Sequence, residues 1–295
     1  MKLIANVLSV GLLVALGYLF IDFDAKKPVP AAPKTPKFSQ FMTCTMGENW
    51  SNENVNIMMD EWNDMNVNGM SFALGHQVIE GDAPVANDNQ ISWQLFWDNQ
   101  SKAESFWKAG PSKEFKVWAD KHRSVMYCDG EGRRNYDVDL PRPREKQGDW
   151  DGDTELVSVV YQCNFTVKDE EGNSVPMEDK ADGEMQLKAM YSEFLDYVDQ
   201  READASWHIW STTGKRGPYN FGVYTHNGEN PDPYMDYDFY WMNYYETVTE
   251  AKDRLADWVN TGSDLQAKFD EFSTCEEDLI YTNSYVLYPD LDVEE

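Results

Sequence analysis

The nine residues Ile91–Asn99, with the sequence ISWQLFWDN, alternate polar and large apolar side chains and therefore predict a β-strand. A related stretch, Met235–Asn243 with the sequence MDYDFYWMN, follows in the second half of the chain. Successive side chains of a strand point to opposite faces, so the aromatic residues of each stretch share one face. Two such strands in one chain indicate an internal duplication.

The elements around these strands recur in the same order in two copies, which we place at residues 38–143 and 155–289. Each copy has a strand with a cysteine, an amphipathic helix, a second strand, the aromatic strand, a glycine-broken helical region, a second cysteine and a last strand. In the second copy we place the second strand at Trp207–Trp210. We also expect an insertion at Thr212–Tyr234, a loop rich in Gly, Pro, Asn and Tyr where copy-specific function would lie.

The order β-α-β-β-α-β in each copy is the ferredoxin-like pattern, and it predicts an α+β fold. Over residues 38–289 this element order resembles the dimeric α/β-barrel superfamily, with both halves on one chain. The resemblance implies two ferredoxin-like repeats that form a pseudo-dimeric α/β barrel or paired sheets. A pair of independent α+β domains, joined by an acidic linker at residues 144–154, is the alternative.

Four cysteines fall at matching positions of the two copies. The duplication pairs Cys44 with Cys128 and Cys163 with Cys275, and in an exported protein such pairs form structural disulfides. A zinc site is the alternative, but no two of these cysteines are near neighbours in the sequence, as zinc motifs require.

The amino terminus has the features of an export signal. Lys2 precedes an uncharged apolar run, Leu3–Ile21, that is long enough as a helix to approach the thickness of a hydrocarbon core. We expect residues 1–24 to be a signal anchor or a cleaved signal peptide, followed by a proline-rich linker at residues 25–37. The body would then lie on the periplasmic or extracellular face of the membrane, tethered through this helix, or be secreted if the segment is cleaved.

The charge of the chain is strongly negative, with 53 acidic and 25 basic residues and a net charge of −28. Such a surface repels phosphate backbones, which excludes nucleic acid as the main partner. Within the acidic linker, Asp149, Asp151 and Asp153 surround a glycine in the way that a calcium loop requires. A solvated acidic turn is the alternative for this segment and for the acidic tail at residues 290–295.

Two histidines, His76 and His208, are expected on corresponding strands of the two copies. Imidazoles in a pseudo-symmetric sheet could act as acid–base groups or as heme ligands. The alternative is a histidine that is hydrogen-bonded within a half-buried strand.

The aromatic strands offer a candidate ligand site. Aligning the two stretches places Tyr237 on Trp93 and Trp241 on Trp97. These four side chains could line a cleft and stack on a flat or sugar-like ligand. Ordinary core packing against the helices is the alternative.

No phosphate-binding loop, nucleophile elbow or zinc-protease motif is found in the sequence. We therefore expect a non-enzymatic, exported and membrane-tethered envelope protein with a structural role or with an unknown small-molecule or protein ligand. Calcium is the single cofactor to consider in this interpretation. The resemblance implies the alternative, an oxidative enzyme of the monooxygenase or heme-using type with a site around His208 in the second repeat.

Overall fold

The computed structural model describes residues 36–65, 70–81, 89–110, 112–143, 146, 156–203, 219–231 and 234–288. The first repeat contains β1 (Phe38–Met46), α1 (Asn52–Asn63), β2 (Met70–Glu80), β3 (Gln90–Trp97), α2 (Gln100–Ala109), α3 (Lys113–His122), β4 (Met126–Cys128) and β5 (Arg134–Asp139). The second repeat contains β6 (Leu156–Lys168), β7 (Ser174–Pro176), α4 (Lys180–Ala203), β8 (Tyr219–His226), β9 (Phe239–Tyr245), α5 (Val248–Thr261), α6 (Ser263–Phe269), β10 (Ser273–Cys275) and β11 (Ile280–Tyr288).

Eight of these strands close into one antiparallel barrel. The first repeat contributes the order β2-β3-β1-β5 and the second contributes β11-β6-β9-β8, which is the ferredoxin-like order in both cases. The repeats are joined by β11 against β2 and by β5 against β8. The predicted α+β fold of two ferredoxin-like repeats is therefore confirmed, and the two sheets form a single closed barrel.

Alternation along each strand separates the barrel interior from the outer layers. On β3, Trp93, Leu95 and Trp97 point outward and pack under the helices of the first repeat. Phe96, which lies between Leu95 and Trp97, points into the barrel and packs in the same core as Tyr136 of β5. The same division in the second repeat gives an outer core under α4, α5 and α6.

The two repeats superpose in a register that differs from the sequence alignment. Cys44 pairs across the sheet with Ile91, and Cys163 pairs with Phe239. In this register the equivalent of Trp93 is Trp241 and not Tyr237, which lies just before β9. The corrected alignment is shifted by four residues. Because side chains alternate between the two faces of a strand, an even shift leaves the outward-facing residues on the outward face.

The second strand of the second repeat also differs from the sequence prediction. It is β8, which lies within the segment expected to be an insertion loop, while residues 204–218, including the expected strand Trp207–Trp210, lie outside the described residues. Its residues from Tyr219 to Thr225 pair with β9, and those from Val223 to His226 pair with β5. These pairings on both sides fix an extended conformation in a segment whose composition favours a loop.

Two disulfides tie the short strands β4 and β10 to the first strand of each repeat. They join Cys44 to Cys128 and Cys163 to Cys275, the pairing that the duplication predicts. In both bridges the two cysteines are direct antiparallel partners, with Cα atoms 3.9 Å apart. Each bridge thus fixes the end of a helical region to the sheet that it covers.

Among the described helices, none combines the length and apolar character needed to cross a membrane. The N-terminal segment expected to contact the membrane lies in residues 1–35, outside the described residues. The membrane contact and the localisation therefore stay predictions.

The disulfides should make a large contribution to stability because they close loops of 84 and 112 residues. We expect replacement of Cys163 and Cys275 together by serine to lower the free energy of unfolding by about 4–5 kcal/mol in the chain-entropy model. Urea unfolding followed by tryptophan fluorescence measures this difference. Adding a reducing agent should lower the stability of the wild type and should not change the stability of a variant that lacks every cysteine. Equal stability of the serine variant and the wild type would contradict the expectation.

Candidate functional site

A cavity of about 120 Å³ lies between the sheet of the second repeat and the helices α4, α5 and α6. We call it the outer cavity. Its inner wall is formed by outward-facing residues of β8 and β9, among them Tyr219 and Trp241. Its outer wall comes from Phe194 of α4 and Trp258 of α5.

The walls of the outer cavity are aromatic and ordered by ring contacts. Trp241 stacks on Phe221 with the ring centroids 4.7 Å apart and the planes within 3°. Phe194 meets Trp241 edge-on at 5.0 Å, and Trp258 meets Phe194 at 5.8 Å. Such a surface presents flat faces and ring edges to anything that enters the cavity.

A buried ionic cluster lies at one side of the outer cavity. Arg254 forms an ion pair with Glu250, and Arg142 forms another with Glu202 at 2.7 Å. Both guanidinium groups lie over the ring of Tyr219, at 5.0 Å for Arg254 and 5.3 Å for Arg142. Burial lowers the pKa of Arg254 and raises the pKa of Glu250. The cluster places positive charge beside an aromatic wall, in a protein with a strongly negative total charge.

Asn243 connects this cluster to the aromatic wall. Its Oδ1 accepts a hydrogen bond from the Tyr219 hydroxyl at 2.9 Å and one from Trp241 Nε1 at 3.0 Å. Burial raises the pKa of Tyr219, so its phenol stays protonated and donates. The orientation of Trp241 is therefore fixed by a hydrogen bond as well as by stacking.

The equivalent space of the first repeat is filled by tryptophan. Trp62 of α1 stacks on Trp93 at 4.9 Å and lies 6.3 Å from Trp118. Trp97 packs on Phe106 at 5.3 Å and is fully buried. The outward face of the sheet is therefore covered by packed side chains in the first repeat, whereas in the second repeat it borders the outer cavity.

The four aromatic residues predicted to line a cleft do not surround one pocket. Trp93 and Trp97 belong to the sealed core of the first repeat, and Tyr237 is half-buried in the segment before β9. Trp241 is the member of the set that borders the outer cavity. The separation follows from the barrel, since the outward faces of the two repeats are covered by different helices.

His76 lies inside the barrel, where it is fully hydrogen-bonded. Its Nδ1 is 2.7 Å from Ser284 Oγ, and its Nε2 is 2.9 Å from Gln94 Oε1. Burial lowers the pKa of His76 to about 4. The side chain is neutral near pH 7 and is held in place by its neighbours. Its structural equivalent in the second repeat is Tyr224, because both pair with matching residues of the aromatic strands.

The other predicted site residues lie outside the described residues: His208, Asp149, Asp151 and Asp153. Their roles stay predictions. Within the described ranges, no group of three His, Cys, Asp or Glu side chains could hold a metal ion.

A second cavity, of about 130 Å³, lies inside the barrel beside His76. We call it the barrel cavity. It is lined by apolar side chains such as Phe41 and Met242 and by the buried guanidinium of Arg134.

Sequence reasoning missed Arg134 and Arg254, although both left a signal. In the sequence RNYDVD of β5, Arg134 shares the alternate positions with Tyr136 and Val138, which places it on the inward face. In α5, Arg254 falls at helical spacing among the residues that pack inward, such as Ala251. An arginine on the apolar face of a strand or helix therefore indicates a buried charge.

No family model and no curated protein matches the chain. Similar solved structures include chlorite dismutase from Candidatus Nitrospira defluvii in complex with imidazole, with 11% identity, a TM-score of 0.42, and coverage of 85% of this chain and 92% of that chain. A mutant of the same enzyme has 9% identity, a TM-score of 0.45, and coverage of 86% and 93%. A protein described as a novel heme-binding protein from Thermus thermophilus has 8% identity, a TM-score of 0.43, and coverage of 87% and 94%.

The expectation of a membrane-tethered ligand-binding or structural envelope protein, without a cofactor or with calcium, is contradicted by the descriptions of these structures, which name chlorite dismutases and a heme-binding protein. The alternative, a heme-using α/β-barrel protein, stays a proposal. The sequence offered no motif that would have separated the two.

The depressed pKa of His76 should make stability depend on pH. An unfolded histidine binds a proton below about pH 6.5, whereas folded His76 does so only below about pH 4, and so stability is lost as the pH falls between these values. The loss should reach roughly 3 kcal/mol relative to His76→Gln, which has no proton to bind there. Urea unfolding of both proteins between pH 7 and pH 4 gives the difference, and parallel pH profiles would show that His76 titrates normally.

Proposed function

We propose that the second repeat holds the ligand site of this chain and that the ligand is a heme or a related porphyrin, bound at the outer cavity. The observation that carries the proposal is the difference between the repeats. At equivalent positions, Trp93 is covered by Trp62, whereas Trp241 borders a cavity next to a buried arginine.

The aromatic walls suit a flat conjugated ring. Trp241 is held rigidly by Phe221 and by its hydrogen bond to Asn243. The protein therefore loses little conformational entropy when a ligand stacks on this side chain. The edge-on ring of Phe194 closes the other side. Flat, apolar pockets with a few fixed polar groups are the usual form of cofactor sites.

Arg254 suits the acidic groups that porphyrins carry. Its guanidinium borders the outer cavity and has five N–H donors, so a ligand carboxylate could share it with Glu250.

The described residues fit the ring and the acidic edge of a heme but not its iron. Heme iron is held by His, Cys, Met or Tyr side chains. No histidine among the described residues borders the outer cavity, and all four cysteines are in disulfides. Burial raises the pKa of each tyrosine that lines the cavity, Tyr161, Tyr197, Tyr219 and Tyr245, which keeps these phenols protonated. No iron chemistry follows from these residues.

The size of the outer cavity sets a second condition. At about 120 Å³ it is smaller than the roughly 300–1,000 Å³ of pockets for larger ligands. A whole macrocycle requires an outward shift of the half-buried residues of the outer wall, Tyr197 and Trp258. These side chains contact each other edge-on at 5.1 Å, so the required shift involves both of them.

Titration of the purified full chain with protoporphyrin IX tests the proposal. We expect saturable binding, followed by porphyrin absorption and by quenching of tryptophan fluorescence. Trp241→Phe should weaken it by about two- to tenfold, since an aromatic contact is worth roughly 0.5–1.5 kcal/mol. The matched variant Trp93→Phe, at the equivalent position of the first repeat, should leave the affinity unchanged. No binding, or equal weakening by the two variants, would remove the outer cavity as the site.

Parallel titration with hemin separates the ring from the iron. If His208 supplies an iron ligand, His208→Ala should weaken hemin binding and leave protoporphyrin IX binding unchanged. If only the ring is held, hemin and protoporphyrin IX should bind with similar affinity, and His208→Ala should affect neither.

A further inference from the structure

The barrel cavity lies where the two repeats meet. Equivalent positions of both repeats line it: Phe41 and Val160 are each three residues before the first cysteine of their repeat, and both border the cavity. Its walls are otherwise mainly apolar, with Ile280 and Met242 on the side of the second repeat.

Arg134 is the charged residue among those that line the barrel cavity in the described part of the chain. Its side chain is buried, with the residue only 4% exposed. Its Nη1 donates to Thr43 Oγ1 at 3.0 Å, and its Nη2 donates to Ser92 Oγ at 3.2 Å. The ring of Tyr234 covers the guanidinium at 3.8 Å.

These partners are all neutral. No carboxylate of the described residues forms an ion pair with Arg134, although the chain has 53 acidic residues. His76 adds no charge near neutral pH and is already bonded to Ser284 and Gln94. A buried cation without a counter-charge is costly, and cation–π contact and hydroxyl groups compensate only part of that cost.

We propose that the barrel cavity binds a small monocarboxylate with an apolar body, whose carboxylate pairs with Arg134. A guanidinium can bind a carboxylate through two parallel hydrogen bonds. The cavity volume of about 130 Å³ is close to the roughly 150 Å³ of an engineered apolar cavity that holds benzene. The ligand body is therefore of the size of one ring or of a short branched chain.

The two repeats differ in a way that orients such a ligand. Arg134 pairs with Phe41 across the sheet, and Ile280 pairs with Val160 in the same way, so Arg134 and Ile280 occupy equivalent positions. One wall of the barrel cavity carries the charge and the opposite wall is apolar. The carboxylate would face β5 and the apolar body would face β11.

This site is separate from the outer cavity, because it lies on the inward face of the sheet and the outer cavity lies on the outward face. It can be tested on protein that has never been exposed to a porphyrin. Failure of one proposal leaves the other unaffected.

Calorimetric titration of the full chain with benzoate, and with benzamide as a neutral molecule of similar shape, tests the inference. We expect saturable benzoate binding and at least tenfold weaker benzamide binding. Arg134→Gln should weaken benzoate binding at least tenfold and bring it to the level of benzamide. The matched variant Arg123→Gln removes an exposed arginine that lies over Tyr127, and it should bind benzoate as the wild type does.

A second variant keeps the test decisive if Arg134→Gln fails to fold. Val160→Phe keeps the charge but fills the apolar part of the barrel cavity, so it should abolish benzoate binding. Three outcomes would overturn the proposal: no saturation by benzoate, equal affinity for benzamide, or unchanged benzoate binding in the folded variants Arg134→Gln or Val160→Phe.

Discussion

Pairing between the repeats, β2 with β11 and β5 with β8, is the constraint on which the rest of the structure depends. Each ferredoxin-like sheet alone would leave two edge strands with unpaired backbone groups, which invite aggregation. In the barrel, each of these strands pairs with an edge strand of the other repeat. Closure also gives every strand residue one of two environments, the barrel interior or the space under the helices.

Closure explains why the two cavities are so different in character. The outer cavity depends on the helices of one repeat, so its lining can differ between the repeats, as Phe221 of the second repeat differs from the equivalent Ala73 of the first. The barrel cavity is built from both repeats together. A change in either repeat alters it, and its lining residue His76 is hydrogen-bonded to Ser284 across the seam between β2 and β11.

The sequence was sufficient to predict the fold class because the period-two aromatic pattern is a local signal of a strand, and because the matching cysteine positions reveal the duplication. It misplaced β8 because YNFGVYTH lies in a segment whose composition favours a loop, and the pairing with β5 and β9 decides its conformation. It also aligned Tyr237 with Trp93, since similar aromatic side chains at a spacing of four residues fit either register. The strand pairing, for example of Cys163 with Phe239, settles that register.

The candidate sites were harder to predict, for a physical reason. Trp93 and Trp241 are equivalent in sequence pattern and in strand position, but one is sealed by Trp62 and the other is not. That difference depends on which helix residue, distant in the sequence, packs over the tryptophan. Arg134 was visible in the alternation of β5, but an arginine at an inward position becomes informative only when its partners are known to be neutral.

The equivalence of Arg134 and Ile280 has a consequence for the evolution of the molecule. A barrel made of two identical subunits would carry every inward residue twice, and two guanidinium groups would then face each other across about 130 Å³ of poorly solvated space. Two like charges at such a short separation repel each other strongly when water cannot screen them. Fusion of the two halves into one chain removes this restriction, since one copy can keep the arginine while the other changes to isoleucine. A singly charged interior is therefore a property that a barrel of two identical subunits cannot have.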